Sequence, residues 1–418
     1  MQFNFKHFRR DINQWSILIS IIGLFIAIPA IAIFYYFFQG VGEMWGHIRR
    51  NFLSAYILNS IALLLGAGLL SFLLGVSSAW IVANYRFPFR RWIEWLLFLP
   101  LAIPSYIVAY TYVGLFGNGG SFILLLQELG VPIQKIEFMN LFGLIWVLAF
   151  SLFPYVYVGA KTMFETRPAS VRDSCNLLGV SRRQFFWKVG LPLALPGIIG
   201  GLLLVFMEVL NDYGAAKYFG VNTFTTGIFR AWTGLEDLQS AIWLSAILVL
   251  LVLLMDRLVK WLIGKRSYAL KLQPENQGQL KKEALKGRKR VLYLSILSIP
   301  LLFGLILPVT QLLYWGLLTF KDQFSLDLLL IALESLFLGV VGAGFIVMVS
   351  LLLVNWSKWN HFRVFEWLGK FGVIGYVLPG AIIGIGILRS SQAIIQFFDH
   401  QFGLKIGFLF FSSSVVLI

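Results

Sequence analysis

The chain has 418 residues, 59% of them hydrophobic and only 13% charged, with a mean hydropathy of +0.81. Soluble domains run at about 45–50% apolar and 25% charged, so this composition excludes a water-soluble globular protein and makes the lipid bilayer the solvent. The net charge of +15 sits between apolar runs, which fits the positive-inside rule and argues against a nucleic-acid-binding surface.

Lys6, Arg9 and Arg10 precede an apolar run over 17–38. That run is longer than the roughly 7–15 residues of a signal-peptide core, so it is read as an uncleaved first membrane helix. A spanning helix needs about 20 apolar residues. The spans predicted in order are 15–38, 54–83, 94–116, 139–160, 191–210, 240–263, 291–316, 328–354, 371–389 and 406 onward, nine full helices and the start of a tenth. With the N-terminus in the cytoplasm, only eight of the 34 Lys and Arg residues fall outside: Arg49, Arg50, Lys135, Lys217, Arg230, Lys321, Arg389 and Lys405.

Residues 264–290 are polar, densely charged and without apolar periodicity, and are expected to form a mobile cytoplasmic linker. The two sides of this linker resemble each other. Asn59-Ser60 and Gly66-Ala67-Gly68 correspond to Glu334-Ser335 and Gly342-Ala343-Gly344. Arg91, Glu94, Trp95 and Leu96 correspond to Arg363, Glu366, Trp367 and Leu368, and Pro104 to Pro379. The expected fold is therefore an all-α polytopic membrane protein of two parallel six-helix repeats. Residues 1–263 form the first repeat, 264–290 the linker, and 291–418 a second repeat that stops before its own counterpart of the 163–192 loop.

Chemistry-bearing clusters are sparse. Cys175 is the only cysteine, which excludes an internal disulfide, and His7, His47, His361 and His400 show no metal-ligand spacing. No G-x-x-x-x-G-K-[ST] phosphate loop occurs, so this chain is expected to bind no ATP and to be no enzyme. The informative stretch is 170–200, too polar to span and too apolar for a solvated loop: Leu177, Leu178, Val180, Phe185, Phe186 and Trp187 need a surface. Its spacing is Asp173-Ser174-Cys175, three residues, Gly179, nine residues, Val189, Gly190, Leu191-Pro192. This resembles the cytoplasmic E-A-A-x3-G-x9-I-x-L-P pattern of binding-protein-dependent ABC transporter permeases, with Asp-Ser-Cys in place of Glu-Ala-Ala. The resemblance implies a coupling helix docked on a separate ATPase, with a glycine turn and a proline where the fifth helix begins. It also implies two ATPase copies carrying ATP and Mg, a periplasmic substrate-binding protein, and a bacterial inner-membrane location.

The stretch from Glu208 to Trp232 resembles the fused two-repeat ferric-iron uptake permeases, which implies Fe(III) as cargo; import of thiamine, a polyamine or another small solute, or an ion-coupled carrier, are the alternatives. Glu208 and Asp212 lie four apart on one helical face near the predicted outer end of the fifth helix, and acidic residues at membrane depth are candidates for a cation path or metal contact. Helix-end capping explains them equally well. Tyr106, Tyr110 and Tyr112 fit an aromatic belt better than a ligand set. Gly197-x-x-x-Gly201 and Gly380-x-x-x-Gly384 would allow close helix packing.

Overall fold

The computed structural model describes residues 31, 34–133, 136–166, 171, 174–175, 177–263, 282–359 and scattered positions between 380 and 401. Most of the predicted spans at 15–38 and 371–389, and all of that from 406, lie outside the described residues. Seven helices among those described are long and apolar enough to cross a membrane. The helical segments that build them are α1 (Leu53–Asn84), α2 (Ser105–Phe116), α3 (Leu141–Thr166), α4 (Leu191–Asn211), α5 (Leu238–Ile263), α6 (Gly287–Leu301), α7 (Leu307–Gln323) and α8 (Leu326–Trp359), with α6 and α7 forming one span, Gly287–Lys321. The only strands among the described residues are β1 (Tyr85–Arg86) and β2 (Glu283–Ala284), paired in parallel.

The chain groups into two compact units, Gly46–Gly227 with Leu250–Gly316, and Met1–Trp45 with Ile228–Val249 and Leu317–Ile418. In the first of these, α3 is the core: 67% of its apolar window is buried, against 33% for α1 and 39% for the path through α4. Small residues let α1 approach it. Ala67, Ser71, Gly75 and Ala79 recur every fourth residue on one buried face. A Cβ on Gly75 would lie 2.7 Å from Val156 Cβ and 2.9 Å from the Tyr157 nitrogen, and Ser71 Oγ donates to the Ala149 carbonyl at 3.3 Å. The α3–α4 contact is closer still. A Cβ on Gly197 would strike the Gly159 carbonyl, one on Gly159 the Gly197 carbonyl, and one on Gly201 would lie 2.6 Å from the Tyr155 carbonyl. Gly197-x-x-x-Gly201 therefore packs backbone on backbone, whereas Gly380 and Gly384 meet nothing within 4 Å among the described residues.

Prolines move two predicted boundaries. The span expected at 94–116 is broken into a short helix at Arg90–Leu96, a 3-10 turn at Leu99–Ala102 and an extended Ile103 (φ −102°, ψ 117°). Pro104 forbids Ile103 the helical region. The membrane-length stretch instead begins at Ser105 and runs to Glu128. The fifth span, expected at 191–210, has no break at Pro192. Its helical path starts at Arg182 and passes through a π turn at Phe186–Gly190. Proline lacks the N–H and crowds the carbonyl one turn back, and the wider π turn just before Leu191-Pro192 relieves both. The same device recurs at Leu302–Ile306, just before Leu307-Pro308.

The far end of the expected linker is structured: residues 283–284 form β2 and α6 begins at Gly287. The rest, 264–281, lies outside the described residues.

In the second unit, α5 is capped by Asp237, whose Oδ1 accepts the Ser240 N–H (2.9 Å) and whose Oδ2 accepts the Ser240 hydroxyl (2.7 Å) and the Met44 N–H (2.8 Å). Partial burial works to raise this carboxyl, but those hydrogen bonds outweigh it and hold it below the usual carboxylate range. Its stabilisation is therefore full above the unfolded value near pH 4 and is lost as pH falls through the depressed folded value. Asp237→Ala is expected to cost about 1–2 kcal/mol, read as a lower midpoint of thermal unfolding in detergent at pH 7. A wild-type midpoint in the variant would deny the cap this role.

Candidate functional site

Two features stand at opposite ends of α4. The first is a hairpin at 174–190. Among its expected residues, Asp173 lies outside the described residues; Ser174 is exposed and Cys175 half-buried, both helical. The helix is closed by Gly179, which takes the left-handed conformation at φ +71° while the Val180 N–H bonds back to the Cys175 carbonyl (3.0 Å). This is a Schellman end, which glycine adopts without the penalty a Cβ brings. The chain restarts at once. Ser181 caps the next turn in a capping box, accepting the Gln184 N–H (3.4 Å) while Gln184 Oε1 accepts the Ser181 N–H (3.2 Å).

The second arm is anchored by aromatic rings: Phe185 is buried, and the Trp80 ring lies 4.8 Å from Phe186 and 5.2 Å from Phe164. Val189, Leu191 and Pro192 are half-buried where this arm runs into α4. Leu177 and Leu178 point away from the bundle, 90% and 80% exposed. The hairpin therefore presents an apolar tip from a rigid base, as a surface awaiting a partner would.

The second feature is a pocket of about 210 Å³ lined by Ser105, Leu148, Leu152, Glu208, Asn211, Asp212 and Tyr213. It brings Glu208 and Asp212 together. Asp212 ends α4 and is held from several sides: it accepts the Ser105 hydroxyl and the Ala216 N–H (3.1 Å), and its own carbonyl accepts the Thr225 hydroxyl (2.7 Å). The Asp212 side chain is half-buried at this helix end. A carboxylate so placed gains from a counter-charge beside it. Glu208 interacts with the Tyr155 hydroxyl.

Sequence reasoning missed Ser105, Asn211 and Tyr213 as pocket residues. The proline break before Ser105 is the one signal that an α2 helix start would face α4. Of the tyrosines, Tyr112 is buried and donates to the Phe303 carbonyl (2.6 Å), while Tyr106 and Tyr110 are about half exposed. Among the described residues, no three His, Cys, Asp or Glu side chains converge as a resident metal site would require.

Residues 71–268 match the family described as binding-protein-dependent transport system inner membrane component. The chain is 23% identical over 389 residues to the Fe(3+)-transport system permease protein FbpB 2 of Haemophilus influenzae, covering 92% of this chain and 72% of that relative. It is 30% identical over 148 residues to the sulfate transport system permease protein CysT of Salmonella typhimurium, 35% of this chain and 52% of that one. It is 27% identical over 210 residues to the molybdenum transport system permease protein ModB of Mycobacterium tuberculosis, 50% of this chain and 77% of that one. A crystal structure of a bacterial alginate ABC transporter, in complex with an alginate pentasaccharide-bound periplasmic protein, superposes with a TM-score of 0.53 at 17% identity. It covers 63% of this chain and 98% of that one, a likeness of fold. The matched segment runs from within α1 past the end of α5, so the likeness to binding-protein-dependent transport system inner membrane components takes in both the hairpin and the pocket.

Proposed function

We propose that this chain is the membrane-spanning permease of a binding-protein-dependent ABC importer of the bacterial inner membrane, and that its cargo is ferric iron. The observation that carries the cargo is the pairing of Glu208 and Asp212 in one pocket. The relatives named for sulfate and molybdenum handle other solutes, and an oxyanion such as sulfate would meet two carboxylates here, an arrangement that repels it. Fe(III) is a hard cation that prefers oxygen ligands. The relative named for Fe(3+) transport aligns with 92% of the chain.

In this reading the N-terminus and the hairpin are cytoplasmic, and residues 1–263 and 291–418 are the two permease repeats flanking the 264–290 linker. A periplasmic binding protein delivers the cargo to the pocket end. Two ABC ATPase copies, which carry the ATP and Mg, seat on coupling surfaces, one of them the Leu177–Leu178 tip. The link between the ends is α4 itself: 21 residues at 1.5 Å each form a rod of about 30 Å from the hairpin to Asp212. A push on the hairpin therefore moves one wall of the pocket, and the glycine contact between α3 and α4 is where the rod would pivot.

The test is uptake of radiolabelled iron by cells lacking the gene and complemented with it, with labelled sulfate as control. Glu208→Gln combined with Asp212→Asn is expected to lower iron uptake at least tenfold at equal membrane abundance, about 1.4 kcal/mol in cargo stabilisation. Unchanged uptake kinetics in that variant would remove the carboxylates from the path. Rescue of sulfate rather than iron uptake would overturn the cargo.

A further inference from the structure

Residues 282–285 reach back across the sequence and join the base of the hairpin. β2 pairs in parallel with β1, Glu283 opposite Tyr85 and Ala284 opposite Arg86, and the buried Leu285 donates its N–H to the Arg86 carbonyl (3.0 Å). Glu283 grips Arg182 of the hairpin's second arm in a two-pronged pair, Nη1 to Oε2 at 2.7 Å and Nη2 to Oε1 at 2.8 Å. Lys282 binds Glu165 at the end of α3 (2.8 Å). Glu165 is also met by Arg90 and Lys161, each at 3.2 Å, and both of these pair with Glu94. Arg90 further donates to the Val82 carbonyl near the end of α1 (3.0 Å). Two residues beyond Leu285, α6 begins, and its Tyr293 lies 5.0 Å from Tyr85.

We propose that 282–285 is a positioning strap, with Arg182, Lys282 and Glu283 as its positioning residues. It fixes the 181–190 arm and ties it to α6, the first helix beyond the linker, so that displacement of the hairpin reaches the far side of the linker as well as α4. An isolated exposed ion pair contributes little. This arrangement differs because a forked Arg–carboxylate pair, a second pair anchored in the Glu165–Arg90–Lys161–Glu94 charge network and a backbone ladder all hold the same short segment. The strap rests on the permease reading, since the motion it relays is the one the ATPase would drive.

The test uses the full chain assembled with its ATPase and binding protein, scored as iron taken up per ATP hydrolysed. Glu283→Lys is expected to lower that ratio about fivefold, and the charge swap Arg182→Glu with Glu283→Arg to restore it to within about twofold of wild type. Where Glu283→Lys does not accumulate, Glu283→Gln carries the same comparison. A second readout, amide hydrogen exchange over 181–190 in the chain alone, is expected to quicken in Glu283→Lys and return in the swap. An unchanged ratio, or a swap no better than the single variants, overturns the strap. If the wild-type assembly moves no iron, the cargo reading falls while the exchange measurement still decides the strap.

Discussion

Gly197→Leu is expected to abolish accumulation of the folded protein. The backbones of α3 and α4 touch at Gly159 and Gly197, where an added Cβ would strike a carbonyl oxygen rather than the end of a flexible side chain. Overpacking a core costs about 1–3 kcal/mol when neighbours can shift. Here the neighbour is a helix backbone that cannot turn aside, so the cost sits at or above ~3 kcal/mol, enough to unfold a marginal protein. The control lies on the same helix, about one turn along. Gly200 is exposed and meets nothing within 4 Å, so Gly200→Leu is expected to be tolerated, with a gain in helix propensity. Size-exclusion profiles and thermal midpoints in detergent separate the two. A Gly197→Leu protein as abundant and as stable as Gly200→Leu would show that the helices do not meet as described.

Gly179→Val is expected to leave the protein in the membrane and cut uptake more than tenfold. The left-handed φ of +71° costs an L-residue about 1–2 kcal/mol, and a β-branched one more. Nothing lies within 4 Å of the added Cβ, so the penalty is conformational and local. The hairpin should re-form with another turn, and the exposed Leu177 and Leu178 should then face a different direction. Asparagine tolerates this conformation, so Gly179→Asn is expected to retain most uptake. Equal loss in both variants would mean that the side chain itself, not the turn, is what a partner rejects. Normal uptake in Gly179→Val would remove the hairpin from coupling.

Much of the fold is legible in the amino-acid order. Apolar runs of bilayer length are local facts, and α1, α3, α5 and α8 fall within a few residues of where hydropathy puts them. The Gly179 turn is legible because a helix end needs a left-handed residue and the spacing to Leu191-Pro192 marks the start of the fifth span. Glu208 and Asp212 stand out because charge is rare at membrane depth. Pro104 is visible in the sequence, but not that the spanning stretch resumes only at Ser105; nor is the π turn that carries the helical path through Pro192.

The solvent, the helical class, the Gly179 turn and the two carboxylates can all be read from the order of residues, because each depends on hydropathy, backbone sterics or charge within a few neighbouring positions. Three-dimensional packing was needed to show that Ser105 closes on Asp212, that Gly159 and Gly197 touch, and that Lys282 and Glu283 return to Glu165 and Arg182. These partners lie from tens to more than a hundred residues apart. No local rule pairs them; they meet because helices packed around α3 bring distant segments to the same depth, where each buried or half-buried charge must find its counterpart.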